Sequence, residues 1–121
     1  GQAHHFRQYA PIKIKYAIKR YTDEVNRLYG VMNKQLKKNE YLSGRYSIAD
    51  MACWGWIIPW KNQGQKISDF PDLKRWFEKV GQRPAVIKGF AAGKEMRKQL
   101  LSENTKEAKK AKSILFNQRS R

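Results

Sequence analysis

Six apolar residues, Ile14, Ile18, Tyr21, Val25, Leu28 and Met32, recur at steps of four, three, four, three and four. A strand cannot hold that period, because its side chains alternate between faces every two residues. An α-helix places all six on one seam and leaves Lys and Arg on the outer face. The spacing predicts a helix over about 12–38. A seam of that length needs other helices to cover it, so the stripe reads as core and not as a ligand box.

The stretch YSIADMACWGWIIPW at 46–60 opens a second helix. Ser47 followed three residues later by Asp50 has the form of a capping box, with Tyr46 and Met51 placed as a hydrophobic staple around it. Beyond Asp50 the segment is apolar on every side, which predicts a helix over 48–58 that is central and nearly inaccessible. Buried N–H groups at a helix start cost a few kcal/mol if unpaired, and Asp50 is the acid that satisfies them and faces the helix dipole. Its neighbours offer it no acid, base or metal partner. Asp50 is therefore read as structural.

Pro59 removes the bond to the carbonyl of Gly55 and predicts a kink or an early stop. The segment LKRWFEKVGQ at 73–82 turns Leu73, Trp76, Phe77 and Val80 inward on one helical face. Pro84 suits a first helical position and starts a short helix over 84–92. Upstream, QAHHFRQY at 2–9 sets Gln2, Phe6 and Tyr9 on one side, and Pro11 ends it. Nothing repeats, and no segment reads as strand. The fold class is all-α: a helical domain over 1–92, followed from Gly93 by a basic tail, 93–121, helical or partly disordered.

A chain of 121 residues with 40% hydrophobic content can bury a core. Its formal net charge of +16 is spread along it: +6 over 94–121 and +10 over 1–93. That field attracts phosphate polymers without specificity. No zinc-finger spacing, RNP sequence or helix-turn-helix supports a nucleic-acid partner, which rests on charge alone. No apolar run reaches the eighteen or so residues of a membrane span, the start does not read as a signal peptide, and the expected location is the cytoplasm. His4 and His5 are adjacent, point apart and make a poor metal pair, so no metal is expected. The single cysteine, Cys53, reads as an inert core thiol.

SIAD at 47–50, FPDLKRW at 70–76 and RPAV at 83–86 follow one another as in the C-terminal helical domain of glutathione transferases. GQAHHF, YAPIKIKYAIKRYTDEVNRLYGVM and ADMACWGW closely resemble the Nu-class bacterial enzymes of that family, which act as disulfide-bond reductases on glutathione. The resemblance covers residues 1 to about 92 and implies that family's helical bundle. It also implies glutathione as co-substrate of the intact family member, with none expected for this chain alone. The implied partners are a thioredoxin-like domain and a second subunit in a homodimer, without a membrane.

The resemblance further implies a site. The arginine of the A-I-x-R-[YF] stretch, which contacts glutathione in that class, matches Arg20, and a guanidinium suits a carboxylate because it donates two parallel hydrogen bonds. Tyr16, one turn earlier, is placed to stack on it. Gln2, His5, Phe6 and Tyr9 would line the substrate side of the cleft. No catalytic residue is expected in this chain. The family's thioredoxin-like half, which activates the glutathione sulfur, has no counterpart in these 121 residues, so the chain alone is expected to be inactive. The alternative is a non-enzymatic helical interaction module.

Overall fold

Lys15–Lys38 form the long helix α2 that the apolar recurrence predicts. The computed structural model describes residues 1–101 and, beyond them, residues 106, 109, 110, 113 and 114. Ahead of α2, the short helix α1 (Gln2–His4) runs directly into a π-turn, His5–Tyr9, closed by the Ala10 N–H donating to the His5 carbonyl at 2.9 Å. After α2 come α3 (Ile48–Ile57), a 3₁₀ turn (Ile67–Asp69), α4 (Pro71–Gly81) and α5 (Pro84–Leu101). Among the described residues there is no strand. Two isolated bridges, Tyr41–Gly44 and Ser43–Arg45, shape the turn before α3.

The chain divides into two compact units, Gly1–Gln82 and Arg83–Arg121. In the first, α2 packs on α1 and on α4, and α4 packs on α3. Leu73, Trp76 and Val80 lose all exposure on the inner face of α4, as the sequence predicts, with Leu36, Tyr29 and Ile57 also in the core. Phe77 is half-buried, its ring stacked on Trp54 with centroids 5.6 Å apart. Helix α4 starts at Pro71, two residues before the predicted start, because proline fits a first helical position.

The start of α4 has no cap from its own segment. Asn33 of α2 supplies it: its Oδ1 accepts from the N–H groups of Asp72 at 2.9 Å and Leu73 at 3.0 Å. The favour is returned at the other helix's end, where Arg75 of α4 donates to the carbonyls of Leu36 at 2.7 Å and Asn39 at 3.2 Å. Each helix thus satisfies orphan backbone groups of the other.

Three expectations need correction. The seam of α2 is rotated: Ile14 and Leu28 are largely exposed, Ile18, Tyr21, Val25 and Met32 are half-buried, and the most buried positions are Tyr29 and Leu36. Tyr29 and Asn33 face inward because each has a hydrogen-bond partner across the unit, which apolar periodicity does not register. Helix α3 is not nearly inaccessible: Ile48 is 81%, Met51 55% and Trp56 64% exposed. All-round apolarity does not reveal how many neighbours a helix has, and the first unit covers only one side of α3. The helix expected over 84–92 continues to Leu101, since the Lys, Glu, Met, Arg, Gln and Leu residues at 94–101 are strong helix formers. Most of the tail beyond Leu101 lies outside the described residues.

Pro59 does end α3, whose last helical residue is Ile57, and the chain turns through 58–64. Around Asp50 the staple is altered. The Tyr46 ring meets Tyr41 edge-on, with centroids 5.5 Å apart, while Met51 stays largely exposed.

Candidate functional site

The predicted site residues fall at the junction of α1, the π-turn and the first half of α2. Phe6 stacks face to face on Tyr21 of α2, centroids 5.3 Å apart with the planes 4° from parallel. His5 meets Phe6 edge-on, and His4 lies against Tyr9, each pair with centroids 5.1 Å apart. The π-turn widens the helix here, so Gln2, Phe6 and Tyr9 no longer keep the register of an α-helix; Gln2 and Tyr9 face solvent while Phe6 is half-buried. Phe6 and Tyr21 together seat this segment on α2 beside Arg20.

Arg20 itself is accessible, with 55% of its side chain exposed. Its Nη1 lies 3.6 Å from a carboxylate oxygen of Glu24, one turn on. Glu24 also accepts two hydrogen bonds from Arg27, at 2.7 and 3.0 Å, and these bonds, more than Arg20, hold its carboxyl below the usual range. Exposed pairs of this kind are weak and screened by solvent and salt, so Arg20 is free to exchange Glu24 for another carboxylate. Tyr16 is 79% exposed, one turn before Arg20. Glu24 is a member of this cluster that sequence reasoning overlooked, although its spacing from Arg20 and Arg27 was a readable signal.

Ser47 and Asp50 form the expected capping box. The Ser47 hydroxyl accepts from the Ala49 N–H at 3.3 Å, and Asp50 Oδ2 accepts from the Ser47 N–H at 2.9 Å. The other oxygen, Oδ1, accepts from the Leu42 N–H at 3.0 Å and the Trp76 indole at 2.7 Å. Burial pushes the carboxyl up, but these donors together outweigh it and hold Asp50 below its usual value. The carboxylate is surrounded by donors and has no face open to a reactant.

Cys53, one turn beyond Asp50, is half-buried and borders a pocket of about 240 Å³ with Val25, Leu28, Met32, Trp56 and Ile57. Burial pushes its thiol up, and the Asp50 carboxylate adds to the effect, so the sulfur stays protonated at neutral pH. Beneath the pocket the Tyr29 hydroxyl donates to Gln63 at 2.7 Å, and the Gln63 amide donates to the Trp56 carbonyl at 2.8 Å. Among the described residues no group of three His, Cys, Asp or Glu side chains could hold a metal ion. The arrangement therefore presents an exposed guanidinium at Arg20 and, at Cys53, a thiol that stays protonated.

These helices and their order are those of a glutathione transferase C-terminal helical domain. The family described as "Glutathione S-transferase, C-terminal domain" matches residues 4–92, and the chain belongs to that family. It is 48% identical over 87 residues to the disulfide-bond oxidoreductase YfcG of Escherichia coli, which covers 71% of this chain and 40% of that protein. It is 41% identical over 93 residues to the disulfide-bond oxidoreductase YghU of the same organism, covering 70% of this chain and 32% of that protein. Among solved structures, Ure2p in complex with glutathione superposes with a TM-score of 0.68 at 37% identity, over 73% of this chain and 45% of that one. The chain thus spans less than half the length of the relatives it matches. Among the described residues no helix is long and apolar enough to cross a membrane.

Proposed function

We propose that this chain is the substrate-side helical domain of a glutathione-dependent disulfide-bond reductase, supplying half of a glutathione site and no catalytic group. The observation that carries the reading is an exposed guanidinium whose partner, Glu24, is bound more closely by Arg27: Arg20 stands on the first half of α2, and Tyr16, Ile14 and Ile12 are also open to solvent. A carboxylate of glutathione would replace Glu24 on Arg20, while Tyr16, Gln2, His5, Phe6 and Tyr9 would border the tripeptide or its disulfide. The sulfur would be activated by groups of a thioredoxin-like domain packed against this face, within a cytoplasmic homodimer. The similarity to two disulfide-bond oxidoreductases supports the chemistry, and the solved complex of Ure2p with glutathione supports the ligand.

The test is calorimetry with glutathione. The 121-residue chain alone should bind more weakly than millimolar, because one exposed charged pair falls short of the roughly 4 kcal/mol that millimolar affinity requires. Adding the thioredoxin-like half of YfcG in trans should strengthen binding, and Arg20→Ala should remove the gain. A gain that Arg20→Ala leaves intact would remove Arg20 from the site.

A second reading, a non-enzymatic interaction module, is favoured by one observation, the exposed apolar side of α3 at Ile48, Met51 and Trp56. The transcriptional regulator URE2 of Saccharomyces cerevisiae, 31% identical over 126 residues, is a relative whose name describes regulation.

A further inference from the structure

A second pocket, of about 350 Å³, opens where the π-turn meets the loop after α3, and it is lined by Arg7, Gln8, Lys13, Ile18, Lys61 and Asn62. Three of the six are cations, and none is an acid. We propose that this pocket is a binding site for a small oxyanion of the phosphate class, such as inorganic phosphate or a phosphomonoester.

The cations are held in place by neutral groups, so their charge is oriented without being cancelled. Arg7 donates from Nε to the Asn62 carbonyl at 3.1 Å, and Lys13 donates to the Arg7 carbonyl at 3.0 Å. Lys61 sits over the Trp60 ring, 5.2 Å from its centroid. Arg7 is only half exposed, and among the described residues its two terminal nitrogens carry no hydrogen bond. Its guanidinium packs against Gly64, where a Cβ would stand 2.6 Å from Cζ. Gly64 also has φ +75°, a conformation glycine adopts without cost. The loop is therefore shaped to admit this guanidinium.

Some exposed cations elsewhere on the first unit have carboxylate partners, such as Lys19 with Asp23, Arg27 with Glu24 and Lys79 with Glu40, and among the described residues the three around this pocket do not. Three like charges around one concavity repel each other, and a dianion with acceptor oxygens on all sides relieves that repulsion while taking the open N–H donors. Preorganised side chains reduce the ordering cost of capturing it. The site is distinct from Arg20. Ile18 lines the pocket, and Arg20, two residues on along α2, projects about 200° further round the helix axis. It is also independent of the glutathione reading, since neither Arg20 nor Tyr16 takes part.

The test is ¹⁵N-¹H NMR titration of the full 121-residue chain with inorganic phosphate at pH 7.5 and constant ionic strength, sodium chloride serving as the reference. Saturable shifts should cluster on the amides of Arg7, Gln8, Lys61 and Asn62. Arg7→Gln and, separately, Lys61→Gln should each weaken binding at least tenfold, while Lys37→Gln, on the exposed end of α2, should leave it within twofold. If Arg7→Gln disturbs the fold by circular dichroism, Lys61→Gln decides alone. Equal weakening by Lys37→Gln, or shifts spread over the whole chain, would assign the effect to the general +16 field and overturn the proposal. So would an oligonucleotide arm in which single-stranded RNA binds, indifferent to Arg7 and Lys61, while phosphate does not.

Discussion

The indole N–H of Trp76 donates to Oδ1 of Asp50 at 2.7 Å, and neither residue retains any solvent exposure. This bond joins α4 to the first turn of α3. The same oxygen also accepts from the Leu42 N–H in the turn ahead of α3, so a single carboxylate ties three segments together. A charge is tolerable there because each of its oxygens accepts at least two hydrogen bonds.

Asp50→Ala should therefore cost more than a lost helix cap. An exposed cap is worth about 1 kcal/mol. Here the N–H groups of Leu42, Ser47 and Trp76 would lose their acceptor, and the loss should reach about 3 kcal/mol or more. Asp50→Asn keeps one acceptor oxygen and should cost less. Urea denaturation checks both, and equal midpoints for parent and Asp50→Ala would show that these bonds contribute nothing.

Asp50 also sets a pH dependence. Its folded value lies below the unfolded one of about 3.9, so the folded state gives up this proton more readily. Its contribution is complete above that unfolded value and is lost as pH falls through the folded one. Melting temperature should drop below about pH 4, and the drop should be shallower in Asp50→Asn, where this group no longer titrates. Parallel curves would place acid sensitivity in other carboxylates.

What could be read in advance was local. SIAD announced its capping box, and Leu73, Trp76 and Val80 declared the inner face of α4 by spacing alone. Pro59 marked the end of α3. The bonds between elements were not legible. Nothing near Asn33 in the chain says that its amide oxygen will cap α4, nor does anything near Asp50 name Trp76, although a buried indole N–H needs an acceptor somewhere. The exposure of Ile48 and Trp56 was hidden for another reason: composition records that a surface is apolar and not what covers it. At the candidate site, Arg20 and Tyr16 were named by resemblance, whereas the Phe6–Tyr21 stack and the Arg7 pocket depend on a π-turn that no periodicity announced.

Tyr29→Phe should destabilise the first unit by about 1–2 kcal/mol. The Tyr29 hydroxyl is buried, which raises its pKa, and it donates to Gln63, itself buried against the Trp56 carbonyl. Removing it leaves the Gln63 carbonyl oxygen without this donor. Gln63→Leu alone should be comparably costly, and the double variant should cost less than the sum of the two, since both remove the same bond. Strict additivity in urea midpoints would mean the two side chains act independently.

The exposed apolar side of α3 should make the isolated chain self-associate. Ile48, Met51 and Trp56 together offer a patch of the kind that seeks cover, opposed by repulsion between molecules of charge +16. Raising salt screens the repulsion and should increase association. Trp56→Lys should reduce it. Sedimentation showing a strict monomer at high protein concentration and high salt would leave this surface without consequence.

The purified chain should show no glutathione-dependent disulfide reduction of its own. Thiol–disulfide exchange needs a thiolate, and the chain's single cysteine is held in its thiol form by burial and by the Asp50 carboxylate nearby. Alkylation of Cys53 by iodoacetamide should therefore be slower at pH 7.5 than that of a free cysteine, and should accelerate only above the usual thiol range near 8.5. Asp50→Asn should shift that acceleration to lower pH, because it removes one of the two causes holding the thiol up. Cys53→Ser should leave background reduction unchanged. Turnover that survives purification and disappears in Cys53→Ser would make this thiol a nucleophile and overturn the assignment of the chain as a domain without a catalytic group.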